Sequence, residues 1–176
     1  MTSAQDVDWP GDIFDVLLAQ NISIVAHVPD AAHAPLLNRC EASSDIRVVT
    51  LTSEQDGVGL LAGAWAGGRR GVLLMQSSGV GNVINALALV TTCRIPILMI
   101  VTMRGEWGEF IPWQLPMGQA VPGVLSAMDI RVFRVNDQNE VGTTVAAAAT
   151  LTYNTRQSTA VLLSQKMIGA KQFKEG

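Results

Sequence analysis

Six short apolar runs rich in β-branched residues recur along this chain, at 22–28 (ISIVAHV), 46–52 (IRVVTLT), 71–76 (GVLLMQ), 95–102 (IPILMIVT), 131–135 (RVFRV) and 159–164 (TAVLLS). Each is continuously apolar rather than alternating. That is the pattern of strands buried on both faces, and hence of a parallel sheet covered on each side. Helical periodicity fills the intervals: from Trp9 to about Gln20, through AHAPLLNRCEA, over 55–66, 81–92, near 121–128, and over 138–154. Asp137 and Glu140 have the spacing of a capping box for the last of these helices. Residues 104–120 read as one long irregular loop. The expected architecture is α/β: an open, doubly wound, mostly parallel sheet of about six strands with helices on both faces. Ligands of such sheets bind beyond the carboxyl ends of the strands, which directs attention to 28–33, 52–57, 76–82 and 103–120.

The 176 residues suit a single domain, with no internal repeat, linker or low-complexity segment. Apolar residues make up 48% and charged residues only 15%, more apolar surface than one core of this size needs, so part of it is expected to meet a partner. A net charge of −3 without a Lys/Arg cluster argues against nucleic acid. Cys40 and Cys93 lack any metal-binding spacing and read as reduced thiols. The acidic, polar start is unlike a secretory signal, and the longest apolar run, 95–103, is interrupted by Pro96. It is far short of the roughly 20 residues that span a bilayer. A soluble cytoplasmic protein is expected.

The stretch VVTLTSEQDGVGLLAGAWAGGRRGVLLMQSSGVGN, residues 48–82, sets an acid, Glu54, between an apolar strand and a helix crowded with glycine and alanine. Gly57, Gly59 and Gly63 approximate a dinucleotide fingerprint. The acid required at the end of the next strand is missing, because Gln76 and Ser77 stand there. Close helix–sheet packing explains the glycines without a ligand. It leaves Glu54 either as an exposed acid favoured by the helix dipole or as a desolvated carboxyl able to share a proton with a ligand nitrogen.

The whole chain resembles the pyrimidine-binding half of thiamine-diphosphate-dependent decarboxylases, most closely the sulfopyruvate and phosphonopyruvate decarboxylases. The resemblance rests on HVPDAAHAPLL (27–37), SEQDGVGLLAGAWAGGRRGVLLMQSSGVGNVINAL (53–87), RIPILMIVTMRGEWGEFIPWQLPMGQAVPGVL (94–125) and the terminal strand. It implies that Glu54 pairs with N1′ of the cofactor's aminopyrimidine and so promotes the imino form that activates the thiazolium carbon. Pro29 and Asp30 match the turn that borders the pyrimidine ring and the reacting carbon. Asp30 then either relays a proton to the product or caps the following helix. His33, next in that loop, is either a surface residue or one that acts in catalysis or contacts the substrate. Ser78, Gly79 and Asn82 stand at a strand-to-helix turn, where backbone N–H groups can face cofactor or substrate. Arg104 is the natural partner for a sulfonate or phosphonate, or else it holds its own loop through Glu106 or Glu109. Trp107 and Trp113 are expected to pack or to meet a subunit.

The glycine–aspartate–glycine motif that the family uses to hold diphosphate and Mg²⁺ is absent. The resemblance therefore implies one pyrimidine-binding domain over 1–176 and a separate diphosphate-binding β subunit that carries Mg²⁺, in a higher oligomer. The implied activity is that of an α subunit converting 3-sulfopyruvate, a small anionic 2-oxo acid, to sulfoacetaldehyde and CO₂. Phosphonopyruvate or another short 2-oxo acid is the alternative substrate. A non-catalytic subunit with the same fold is the alternative role.

Overall fold

A computed structural model describes residues 7–169. Helix α1 (Trp9–Ala19) leads into β1 (Ile22–His27), and α2 (Ala34–Ala42) into β2 (Arg47–Thr50). Then come α3 (Glu54–Ala66), β3 (Arg70–Gln76), α4 (Ser77–Cys93), β4 (Leu98–Thr102), α5 (Gln114–Ala127) and β5 (Arg131–Val135). A 3₁₀ turn (Gln138–Glu140), α6 (Val141–Thr155), β6 (Thr159–Leu163) and a single-turn α7 (Gln165–Ile168) complete the described chain. The six strands form one sheet in the order β2-β1-β3-β4-β6-β5, and every pairing is parallel. The expected doubly wound α/β architecture is the one observed.

The continuity of the apolar runs has the anticipated cause. Val72, Leu74, Leu98, Ile100, Val161 and Leu163 pack toward α1, α2 and α6. Their neighbours Leu73, Met75, Met99, Val101, Ala160 and Leu162 pack against α3, α4 and α5. All are fully buried, and each apart from Ala160 contributes roughly 2 kcal/mol by leaving water. Tyr153 closes the first layer by donating its hydroxyl to Gly71 O at 2.8 Å. Among the described residues no helix is long and apolar enough to cross a membrane.

Several boundaries depart from the sequence reading. α4 begins at Ser77, directly off β3, rather than at 81, and α5 begins at Gln114 rather than 121. The loop between β4 and α5 is correspondingly shorter. Asp137 caps only the 3₁₀ turn, and Glu140 makes no side-chain capping bond to α6. The capping box lies instead at α3, where Asp56 Oδ2 accepts from Ser53 N at 3.2 Å and Ser53 Oγ accepts from Gln55 N at 3.4 Å. That cap makes Glu54 the first residue of α3, not the tip of a strand.

The chain starts in β1, steps outward to β2, then crosses to β3 on the other side. Where the winding reverses, between β1 and β3, the loops leaving their carboxyl ends diverge and open a crevice.

Candidate active site

Glu54 is 7% exposed. Its Oε2 accepts a hydrogen bond from Asn82 Nδ2 on α4 at 2.8 Å. Gly79, one turn earlier on α4, lies against the same carboxyl: a β-carbon there would stand 2.6 Å from Glu54 Cδ. The direct entry of α4 from β3 is what brings Gly79 and Asn82 up to the start of α3. No described residue donates a hydrogen bond to Oε1, the oxygen facing Gly79. One carboxylate oxygen is thus fixed by Asn82.

A second group gathers at the crevice. Asp30 Oδ2 accepts from Thr102 Oγ1 at 2.7 Å, and Oδ1 accepts from Gln76 Nε2 at 3.3 Å. Gln76 Oε1 in turn accepts from Gln114 Nε2 at 2.8 Å and Ser78 Oγ at 2.9 Å. Asp30 therefore does not cap α2 with its side chain; the residue at that cap is His33, which makes no side-chain capping bond either. Pro29 is exposed at the turn before it. Asp30, Thr102 and Arg104 line a cleft of about 270 Å³.

His33 is not a surface residue. It is fully buried, with Nδ1 3.9 Å from Asp30 Oδ2. Neither ring nitrogen has a hydrogen-bond partner among the described residues. Desolvation pushes its pKa down to about 4, against the opposing pull of Asp30 and with a smaller contribution from His27. It is a neutral imidazole packed beside Asp30, and its burial corrects the expectation of a surface histidine.

Arg104 pairs with Glu109, Nε to Oε2 and Nη2 to Oε1, both at 2.6 Å. Glu109 also accepts from Gly105 N, Ile111 N and Gln165 Nε2. The Arg104 guanidinium, more than any other neighbour, holds the Glu109 carboxyl down at about 2. Glu106 instead forms a bidentate pair with Arg134 at 2.7 Å. Arg104 is thus both the anchor of its loop and a wall of the cleft. Of its five N–H donors, three remain beyond the two given to Glu109. The backbone of Arg104 is held by Ser77, whose Oγ accepts from Arg104 N at 3.0 Å. Trp107 and Trp113 are 55% and 67% exposed, so neither packs into the core.

Gln76, Thr102, Gln114 and Gln165 were not singled out by the sequence. Gln165 Oε1 accepts from Glu106 N and Trp107 N, pinning the loop that carries Arg104. Buried glutamines whose partners lie 38 to 59 positions away leave no local signal.

The model of the thiamine pyrophosphate enzyme N-terminal TPP binding domain matches residues 11–109, which sets the class. Sulfopyruvate decarboxylase subunit alpha of Methanococcus maripaludis is 36% identical over 152 residues, 86% of this chain and 91% of that protein. Phosphonopyruvate decarboxylase of Streptomyces viridochromogenes is 34% identical over 78% of this chain, a match spanning 35% of that longer protein. A solved 2-oxoglutarate:ferredoxin oxidoreductase from Magnetococcus marinus superposes with a TM-score of 0.74 at 13% identity, over 91% of this chain and 29% of that one. At that identity it speaks for the fold alone. The chain belongs to the thiamine pyrophosphate enzymes, in the branch of the sulfopyruvate decarboxylase α subunits.

The site fits such a cofactor. Glu54 is a buried carboxyl packed against Gly79, and its Oε1 takes no hydrogen bond from a described residue, which is the kind of acceptor a protonated ring nitrogen needs.

Proposed function

We propose that this chain is the pyrimidine-binding α subunit of a two-chain, thiamine-diphosphate-dependent decarboxylase acting in the cytoplasm on 3-sulfopyruvate. The observation that carries the reading is the buried Glu54 carboxyl, packed against Gly79, held through Oε2 by Asn82 and given no donor to Oε1 by any described residue. Glu54 would hold the pyrimidine N1′ and keep a proton shared with it in a site from which water is largely excluded. Pro29, Ser78, Gly79 and Asn82 would form the wall around that ring. When bound, thiamine diphosphate supplies the electron sink for loss of CO₂.

Asp30 lines the cleft and its carboxylate is oriented by Thr102 and Gln76, so it is suited to relay a proton to the carbon that has lost CO₂. The free edge of Arg104 would receive the sulfonate. His33 acts behind Asp30 as a positioning residue. The diphosphate and Mg²⁺ would be held by a separate β subunit, consistent with the subunit naming of the relatives and with the exposed aromatics on the loop before α5. Phosphonopyruvate is the second reading, favoured by the Streptomyces relative.

The test is reconstitution with the diphosphate-binding chain, thiamine diphosphate and Mg²⁺, followed by measurement of CO₂ and sulfoacetaldehyde from 3-sulfopyruvate. Turnover that requires both chains supports the proposal. A stable complex loaded with cofactor that decarboxylates neither 3-sulfopyruvate nor phosphonopyruvate would refute it.

A further inference from the structure

Among the described residues, Arg104 is the cation lining the cleft beside Asp30, and its charge is already matched by Glu109. The pair is buried, with side chains 8% and 1% exposed, so water does not screen it. Among the described residues, the other nearby charges stand outside the cleft lining. Glu106 is neutralised by Arg134, and the Lys166 ammonium lies over the Trp107 ring, 5.0 Å from its centroid. His33, behind Asp30, is kept uncharged by burial, and burial also lowers the pKa of His27. Among the described residues that line the cleft or pair with its lining, one guanidinium thus faces two carboxyl groups, Asp30 and Glu109.

The two candidate substrates differ in this respect. A sulfonate carries one negative charge at all working pH values. A phosphonate takes a second near pH 6 to 7, roughly as a phosphate ester does. We infer that Glu109 is a specificity-determining residue: by occupying one edge of Arg104 it sets the cleft to admit a singly charged sulfonate and to disfavour a doubly charged phosphonate. This rests on the decarboxylase reading above and deepens it. The residue acts through Arg104 and does not touch the substrate.

Glu109→Gln keeps the shape of the side chain and returns to Arg104 its full charge. In the two-chain holoenzyme, kcat/KM is compared for 3-sulfopyruvate and phosphonopyruvate. The wild type is expected to prefer the sulfonate, and the variant to shift that ratio toward the phosphonate by on the order of tenfold. An unchanged ratio overturns the assignment.

If Glu109→Gln loosens the loop, the wild type alone decides. Between about pH 8 and about pH 6 the phosphonate loses its second charge, and its kcat/KM relative to the sulfonate should rise; a flat ratio contradicts the inference. Calorimetric binding of the unreactive 3-sulfopropanoate and 3-phosphonopropanoate separates this idea from the parent reading. Absence of decarboxylation sinks the parent reading, whereas equal affinity for the two analogues at about pH 8, where the phosphonate is doubly charged, sinks the role of Glu109.

Discussion

Asn82 Nδ2 donates to Glu54 Oε2 at 2.8 Å and so ties the first residue of α3 to α4. This bond orients a carboxylate that would otherwise turn toward solvent, and it fixes which oxygen remains free. Asn82→Ala should therefore cost activity more than stability. Asn82 is itself exposed, so water replaces the lost donor, and destabilisation stays near 1 kcal/mol. Decarboxylation should fall about tenfold as Glu54 loses its orientation. Urea unfolding and turnover of the same preparation check both parts.

Gly79→Ala should be far more damaging than Gly81→Ala. The added methyl at Gly79 meets the Glu54 carboxyl itself, whereas at Gly81 it meets the end of the flexible Met117 side chain at 3.2 Å. Alanine is otherwise favoured over glycine in helices by about 1 kcal/mol. We expect Gly79→Ala to reduce turnover at least ~100-fold by displacing the acid. Gly81→Ala should stay within about tenfold of wild type. Equal effects at the two positions would disconnect Gly79 from Glu54.

Gly59 and Gly63 lie in the interior of α3, and a β-carbon added at either would meet nothing within 4 Å. Alanine at each should stabilise the protein by about 0.5–1 kcal/mol through helix propensity and a less flexible unfolded chain. Thermal denaturation of the double variant should show a higher midpoint.

His33 gives stability a defined pH dependence. It is neutral when folded, with a pKa near 4, but in the unfolded chain its imidazole takes a proton near the ordinary 6.5. Between these values the unfolded state binds more protons, so stability is full above about pH 6.5 and is lost as the pH falls toward 4. The loss from this one group is up to about 3 kcal/mol. His33→Leu should flatten the slope of unfolding free energy across that window; an unchanged slope would mean that other groups set it.

The sheet was legible because the inner strands β3, β4 and β6 are covered on both faces, and such burial writes itself as unbroken apolar runs; the edge strands β2 and β5 are partly exposed. The helix starts were not. Ser77, Ser78 and Gly79 have weak helix propensity and read as a turn. Their helical conformation is held by long-range contacts instead: Ser77 to the backbone of Arg104 and Gly79 to Glu54. Pro116 and Pro122 similarly obscured α5, although Pro116 lies in its first turn, where a missing N–H costs little. Glu54 stood out because it is the first acid after an apolar strand, where the next helix begins. The glutamines did not, since Gln76 and Gln114 act by meeting each other across the fold. The two roles weighed for Arg104 turned out to be compatible, because a guanidinium has enough donors to hold Glu109 and still face the cleft.

The most direct measurement is single-turnover decarboxylation of 3-sulfopyruvate by the two-chain complex carrying Glu54→Gln, with bound thiamine diphosphate quantified and thermal stability recorded. Glutamine preserves shape and the Asn82 contact but cannot share a proton with N1′. A rate reduced at least ~100-fold in a complex that still folds and assembles is the expected result. Wild-type turnover with full cofactor occupancy would contradict the role assigned to Glu54, and with it the proposed function of the site.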